Sequence, residues 1–381
     1  MVSKKFSQRA LNLFTSIFLT SFGIIFFQQR TQEASSFLNI LTYDAQMYLS
    51  MTNGIEVSGP HACRILLPFL AKLLPMEPLK AVFFINVVSL VILFSSLIIM
   101  LENFLIKKNV IIITIVIFFS TYSLAYNFTN PFLTDLPALA TMILFINSII
   151  KYRYLSCLLF FAASLLFRET IIVLLPLFFL TFSLKKSMLA MFFGLFIYFI
   201  PKLIIAGDIY CNFNPPFSVT LLINTEFLIK TILSYGPIWL LGFAGLTKLS
   251  SLNKNLSKIA FSILILSLVG SVLSSFKSTT DITRMYILML PILILGSAML
   301  INNILLQKYS SIYLVIISIS GLFASIGYFP NIFIEAELNS LKEFAKSNYI
   351  IIVSSIFIQS IFIFIVIKKF LIESFNYGSR N

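Results

Sequence analysis

The stretch that decides the fold is KYRYLSCLLFFAASLLFRETIIVLLPLFFLTFSLKK, residues 151–186. Lys151 and Arg153 precede its first apolar run, 154–167, and Lys185 and Lys186 follow its second, 170–184. One polar break, Arg168-Glu169, separates the two. Apolar runs bounded by cations and broken once in the middle read as a helical hairpin in a membrane. In hydrocarbon each backbone polar group must be satisfied internally, and the alternation of a membrane barrel is absent. The runs are short: at about 1.5 Å per residue they reach roughly 21–22 Å, against a hydrocarbon core of about 30 Å. With their cations held at the inner face, Arg168-Glu169 sits below the outer surface or the bilayer thins there. A charge at a helix centre costs about 2.5–3.5 kcal/mol, so the pair is expected to face a wet cavity or a partner. Short, interrupted apolar segments are also where membrane proteins build sites.

The same pattern extends along all 381 residues. A composition 59% hydrophobic and 11% charged, with a mean hydropathy of +0.99, excludes a soluble globular domain. Dividing the chain at its polar breaks gives about twelve spans: 11–27, 80–101, 110–126, 136–150, 154–167, 170–184, 187–205, 227–247, 259–276, 285–301, 311–328 and 349–367. The expected fold is all-α, a polytopic helical membrane protein forming one domain over residues 1–381. The net charge of +13 invites a nucleic-acid partner, but topology accounts for it. With the N-terminus inside, the inner segments hold Lys4, Lys5, Arg9, Lys107, Lys108, Lys151, Arg153, Lys185, Lys186, Lys248, Lys254, Lys258, Lys308, Lys368, Lys369 and Arg380, against only Glu102 and Glu373. The other side holds eleven cations against twelve acids. This asymmetry places both termini in the cytoplasm and the chain in a plasma (inner) membrane among its lipids, with no nucleic-acid partner. The first span follows Lys4, Lys5 and Arg9 with no small-residue cleavage site behind it, so it reads as a retained signal anchor. Three scattered cysteines (Cys63, Cys157 and Cys211) imply neither a disulfide framework nor a metal motif. A single histidine excludes a His-rich metal centre.

The long connections, 28–79, 206–226 and 329–348, all fall on the outer side, where function is expected. Residues 65–75 are too short to cross and read as an interfacial helix with Lys72 snorkelling. Residues 332–347, with Glu335, Glu337, Lys342, Glu343 and Lys346, read as a second surface helix. No internal repeat or low-complexity tract is present.

Five polar groups share the outer side, and each has a plainer alternative. Asp44, in Tyr43-Asp44-Ala45-Gln46-Met47-Tyr48, is a loop acid or helix cap in the plain reading. In the chemical reading it is a carboxylate near the apolar boundary, suited to a general base. His61 and Arg64 lie one turn apart, able to share a phosphate or simply to face lipid headgroups. Asp135 stands at a helix start, where a cap is the alternative to acceptor or metal binding. Arg168 and Glu169 are either a self-satisfying pair or residues with separate partners, since adjacent helical positions point about 100° apart. Arg284 opens a span, where the helix dipole disfavours a cation. Either Asp281 neutralises it, or it binds phosphate together with the helix N-terminus.

The order Tyr43-Asp44-x-Gln46-x-Tyr48, Arg64-x-x-Leu67-Pro68, Thr134-Asp135, Arg168-Glu169-Thr170 and Asp281-x-x-Arg284 resembles bacterial members of the GT-C glycosyltransferase superfamily, in its mannosyltransferase-related branch. The resemblance covers roughly residues 40–290. It implies a GT-C-like fold and an inverting transferase that uses a polyprenyl-phosphate sugar donor and a glycan, lipid or protein acceptor. It also implies an acid on the first extracytoplasmic loop, matched here by Asp44. Family members often carry paired acids there, whereas Glu33 and Glu56 are not adjacent to Asp44, so the resemblance does not extend to a divalent-metal requirement. The expected reaction is transfer at the outer leaflet, with Asp44 as base and Arg64, Arg168, Arg284 and His61 about the donor phosphate. The competing readings are a membrane glycan polymerase acting on lipid-diphosphate repeat units and a lipid or glycan transporter.

Overall fold

Every element among the described residues is helical, as the apolar runs predict. The computed structural model describes residues 2–32, 43–57, 59–119, 121, 123–124, 127, 132–204, 232, 234–275, 286–304, 312–321, 350 and 353–368. Three helical stretches are long and apolar enough to cross a membrane by themselves: Pro78–Asn103, Lys254–Leu273 and Tyr286–Asn303. Shorter apolar helices coincide with other predicted spans, among them Arg9–Ile25, Asp135–Ile150 and Val353–Lys368. The outer loops 206–226 and 329–348, with the surface helix expected at 332–347, lie outside the described residues.

The helices gather into two units. The first comprises Met1–Asn103, Asn127–Phe217 and Ile265–Gly270; the second comprises Phe104–Tyr126, Ser218–Leu264 and Ser271–Asn381. The chain passes between them repeatedly, so no linker divides the sequence.

In the first unit, α1 (Val2–Gln32) is followed by α2 (Tyr43–Thr52), a 3₁₀ turn at Gly59–Cys63, and α3 (Leu66–Leu73), the helix expected near 65–75. Then come α4 (Pro78–Asn103), later α5 (Asp135–Ile150) and α6 (Tyr154–Phe167). Polar side chains join these helices where hydrophobic burial gives no direction, because lipid is as apolar as leucine. Ser95 donates to Ser16 Oγ at 2.8 Å between α4 and α1. Asn147 of α5 donates to the Ser96 carbonyl at 2.8 Å and accepts from Asn103 at 3.0 Å, both on α4. Phe145, Phe161 and Phe178 fill the space beside them, with ring centroids 5.2–5.6 Å apart.

Helix α6 matches the predicted run 154–167 residue for residue. The second limb of the hairpin departs from the expectation of one helix over 170–184. It is a 3₁₀ stretch, Glu169–Leu174, followed by the short helix Leu177–Thr181. The β-branched run Thr170-Ile171-Ile172-Val173 has low helix propensity, and Pro176 has no N–H to continue an α ladder from behind it. The predicted span 285–301 departs in the same way, with a 3₁₀ turn at Tyr286–Met289 before the helix Leu290–Ile304, whose second residue is Pro291. A 3₁₀ stretch rises about 2.0 Å per residue, so it also lengthens a limb too short for the membrane.

The second unit is built on close backbone approach. The helix Ile238–Leu246 presents Gly242 and Gly245 to Gly296 and Leu293 of the helix Leu290–Ile304. A Cβ at Gly245 would fall inside the van der Waals radius of the Gly296 carbonyl oxygen. Beside this crossing, Tyr235 donates to the Tyr286 carbonyl at 2.8 Å, and Ser123 donates to the Ser234 carbonyl at 3.2 Å.

Candidate functional site

Most of the predicted site residues of the first unit meet in one cluster drawn from four stretches of sequence. Asp44 lies in the first turn of α2, where the helix dipole favours an acid, so the plain reading of a helix-start residue holds for its position. One turn on, Tyr48 projects from the same face and is wholly buried. The 3₁₀ turn Gly59–Cys63 brings His61 edge-on to the Tyr48 ring, with centroids 5.5 Å apart. His61 Nε2 stands 3.6 Å from Asp44 Oδ1, and its Nδ1 stands 3.4 Å from Tyr48 Oη.

Arg64 is the centre of the cluster. Its Nε and Nη2 each donate to Glu169 at 3.0 Å, a two-pronged fork onto a carboxylate 105 residues away, and its Nη1 donates to Tyr48 Oη at 2.8 Å. Burial works against the charge on Arg64, but Glu169 and Tyr48 outweigh it and hold the guanidinium protonated above its ordinary range.

Arg168 and Glu169 have separate partners, as their adjacency suggests. Helix α6 ends at Phe167, and Arg168 is extended at φ −156°, ψ 114°. Successive side chains then point to opposite sides, Glu169 toward Arg64 and Arg168 toward Asp135. Arg168 and Asp135 form a salt bridge in which both side chains are shut off from solvent. Asp135 is the first residue of α5, and the Thr134 before it makes no side-chain cap bond; its hydroxyl donates to Tyr48 Oη at 3.3 Å.

Seven of the predicted site residues are thus brought together: Asp44, Tyr48, His61, Arg64, Asp135, Arg168 and Glu169. Gln46 lies on α2 with its side chain exposed. Tyr43 begins α2. Asp281 and Arg284 lie outside the described residues. A donor phosphate would have to compete with Glu169 for Arg64 and with Asp135 for Arg168. Among the described residues no group of three or more metal-ligating side chains forms.

Two residues of the site escaped sequence reasoning. Thr134 was visible only as a neighbour of Asp135. Cys63, between His61 and Arg64, is disulfide-bonded, whereas Cys157 is a free buried thiol; Cys211 lies outside the described residues. The spacing of the cysteines implies no disulfide framework, and the single bond at Cys63 was not legible in it, because pairing depends on Cα atoms approaching within about 7 Å.

The three carboxylates of the cluster differ in what they can do. Asp135 is sealed against Arg168, and Glu169, the most open of the three at 31%, is held by both prongs of Arg64. Asp44 keeps 17% of its side-chain surface open and faces an imidazole. No protein-family model, no curated protein and no solved structure matches this chain.

Proposed function

We propose that this chain is an integral-membrane glycosyltransferase of the plasma membrane, with a GT-C-like arrangement of about twelve spans and cytoplasmic termini. In this reading it moves a sugar from a polyprenyl-phosphate donor to an acceptor hydroxyl on the extracytoplasmic side. Asp44 takes the hydroxyl proton, the acceptor oxygen bonds to the anomeric carbon, and the bond from that carbon to the phosphate oxygen breaks in line, with inversion. The leaving polyprenyl phosphate carries away the electron pair, and nearby guanidinium groups stabilise its charge. Arg64 and Arg168 stand as carboxylate-held cations that fix the geometry around the base.

The observation that carries the reading is the gathering of the cluster itself. Residues from the first outer loop, the start of α5 and the Arg168-Glu169 break converge, and they set Asp44 and His61 beside two carboxylates that are each held by an arginine. The disulfide at Cys63 supports the orientation, since disulfides persist on the oxidising side of a membrane. The glycan-polymerase reading has less support, because it calls for outward arginines available to lipid diphosphates and both described arginines of the cluster are held by acids.

The test is purified protein in liposomes supplied with radiolabelled polyprenyl-phosphate sugars and simple acceptors. A single-sugar product of inverted anomeric configuration is the expected outcome. A product ladder from lipid-diphosphate repeat units, or movement of lipid without a covalent product, would contradict it.

A further inference from the structure

The cluster holds the only histidine of the chain between a phenol and a carboxylate, and the groups around it fix its proton. The Arg64 guanidinium has only N–H groups to offer, so Tyr48 Oη, 2.8 Å from Nη1, accepts from it. The Thr134 hydroxyl, 3.3 Å away, donates to the same oxygen. With Thr134 donating, both lone pairs of the phenol are occupied and its own proton goes to its third neighbour, His61 Nδ1, at 3.4 Å. Across the ring, Nε2 lies 3.6 Å from Asp44 Oδ1, where a carboxylate attracts an N–H and repels a lone pair. Both sides of the ring call for the same tautomer.

We infer that His61 is a neutral imidazole with its proton on Nε2, set by Tyr48, and that this N–H positions Asp44 as the base. The positioning role rests on the transferase reading above; the tautomer does not. The order of control runs from Glu169 to Arg64, then to Tyr48, His61 and Asp44, each group orienting the next. His61 is a positioning residue in this scheme: the acceptor proton goes to Asp44, and the imidazole proton stays on Nε2 throughout.

Because the chain has one histidine, ¹⁵N-histidine labelling of the full-length protein in lipid nanodiscs yields a single imidazole spectrum. The expected result at neutral pH is a bare Nδ1 and a protonated Nε2, with Tyr48→Phe converting this to a mixture of tautomers. Two protonated nitrogens, a proton on Nδ1, or a spectrum unmoved by Tyr48→Phe would overturn the inference. For the positioning role, His61→Gln, which keeps an N–H directed at Asp44, is expected to retain transfer. His61→Leu is expected to lose it on the order of a hundredfold, the cost of misplacing a reacting group by about 1 Å. Equal losses in both variants overturn the positioning role. The predicted tautomer together with normal transfer by Asp44→Asn upholds the tautomer and removes the transferase reading instead.

Discussion

The two units hold their helices together by opposite means. The first uses paired charge, Arg168 sealed against Asp135 and Arg64 in a part-buried fork on Glu169, together with asparagine bridges between α4 and α5. The second uses the absence of side chains, with Gly242 and Gly245 letting one helix lie directly against Gly296 of another. Small-residue contacts are an economical way to pack helices in lipid, since close approach gains dispersion without desolvating anything polar. Buried ion pairs are a poor way to gain stability, because desolvation offsets most of the attraction. The first unit nonetheless concentrates its ion pairs at one place, whereas the second holds a crossing of bare backbone.

The contrast makes quantitative predictions, the largest in the first unit. Arg168→Ala strands the sealed Asp135 carboxylate and is expected to cost about 3–5 kcal/mol in denaturant unfolding. The double variant Arg168→Met with Asp135→Leu should recover most of that loss; if it does not, the pair is doing more than neutralising itself. Gly245→Ala tests the second unit. Its methyl group meets backbone, which cannot rotate away, so a loss of about 3 kcal/mol is expected, at the upper end of overpacking costs. A neutral result would show that the helices are farther apart than described. Glu169→Gln removes one charge from the Arg64 fork and should cost about 2 kcal/mol. The smallest effect is expected of Asn147→Ala, about 0.6–1.7 kcal/mol, the range of single interhelical hydrogen bonds in lipid.

Much of the first unit was legible in the sequence because ionisable residues in an apolar chain must have partners. The bounds of α6 followed from its flanking cations and an unbroken apolar run. The separate partners of Arg168 and Glu169 followed from their adjacency. What stayed hidden was which partner each took, since Arg64 and Glu169 are 105 residues apart and nothing local to either encodes the other. The 3₁₀ limb was hidden because apolar periodicity does not separate it from an α-helix; Pro176 and the β-branched run before it were the available signals. The glycine crossing left the weakest trace, as a glycine in an apolar run looks the same whether it faces lipid or another backbone. The bond at Cys63 was hidden because three cysteines at uneven spacing say nothing about proximity.

Asp44 carries the proposed chemistry. The decisive measurement is sugar transfer by Asp44→Asn beside the wild-type protein, at matched expression and with donor binding measured separately. Donor affinity is expected to be unchanged, with the transfer rate reduced at least a hundredfold, the low end of what a general base contributes. A variant that binds donor and transfers at the wild-type rate would contradict it.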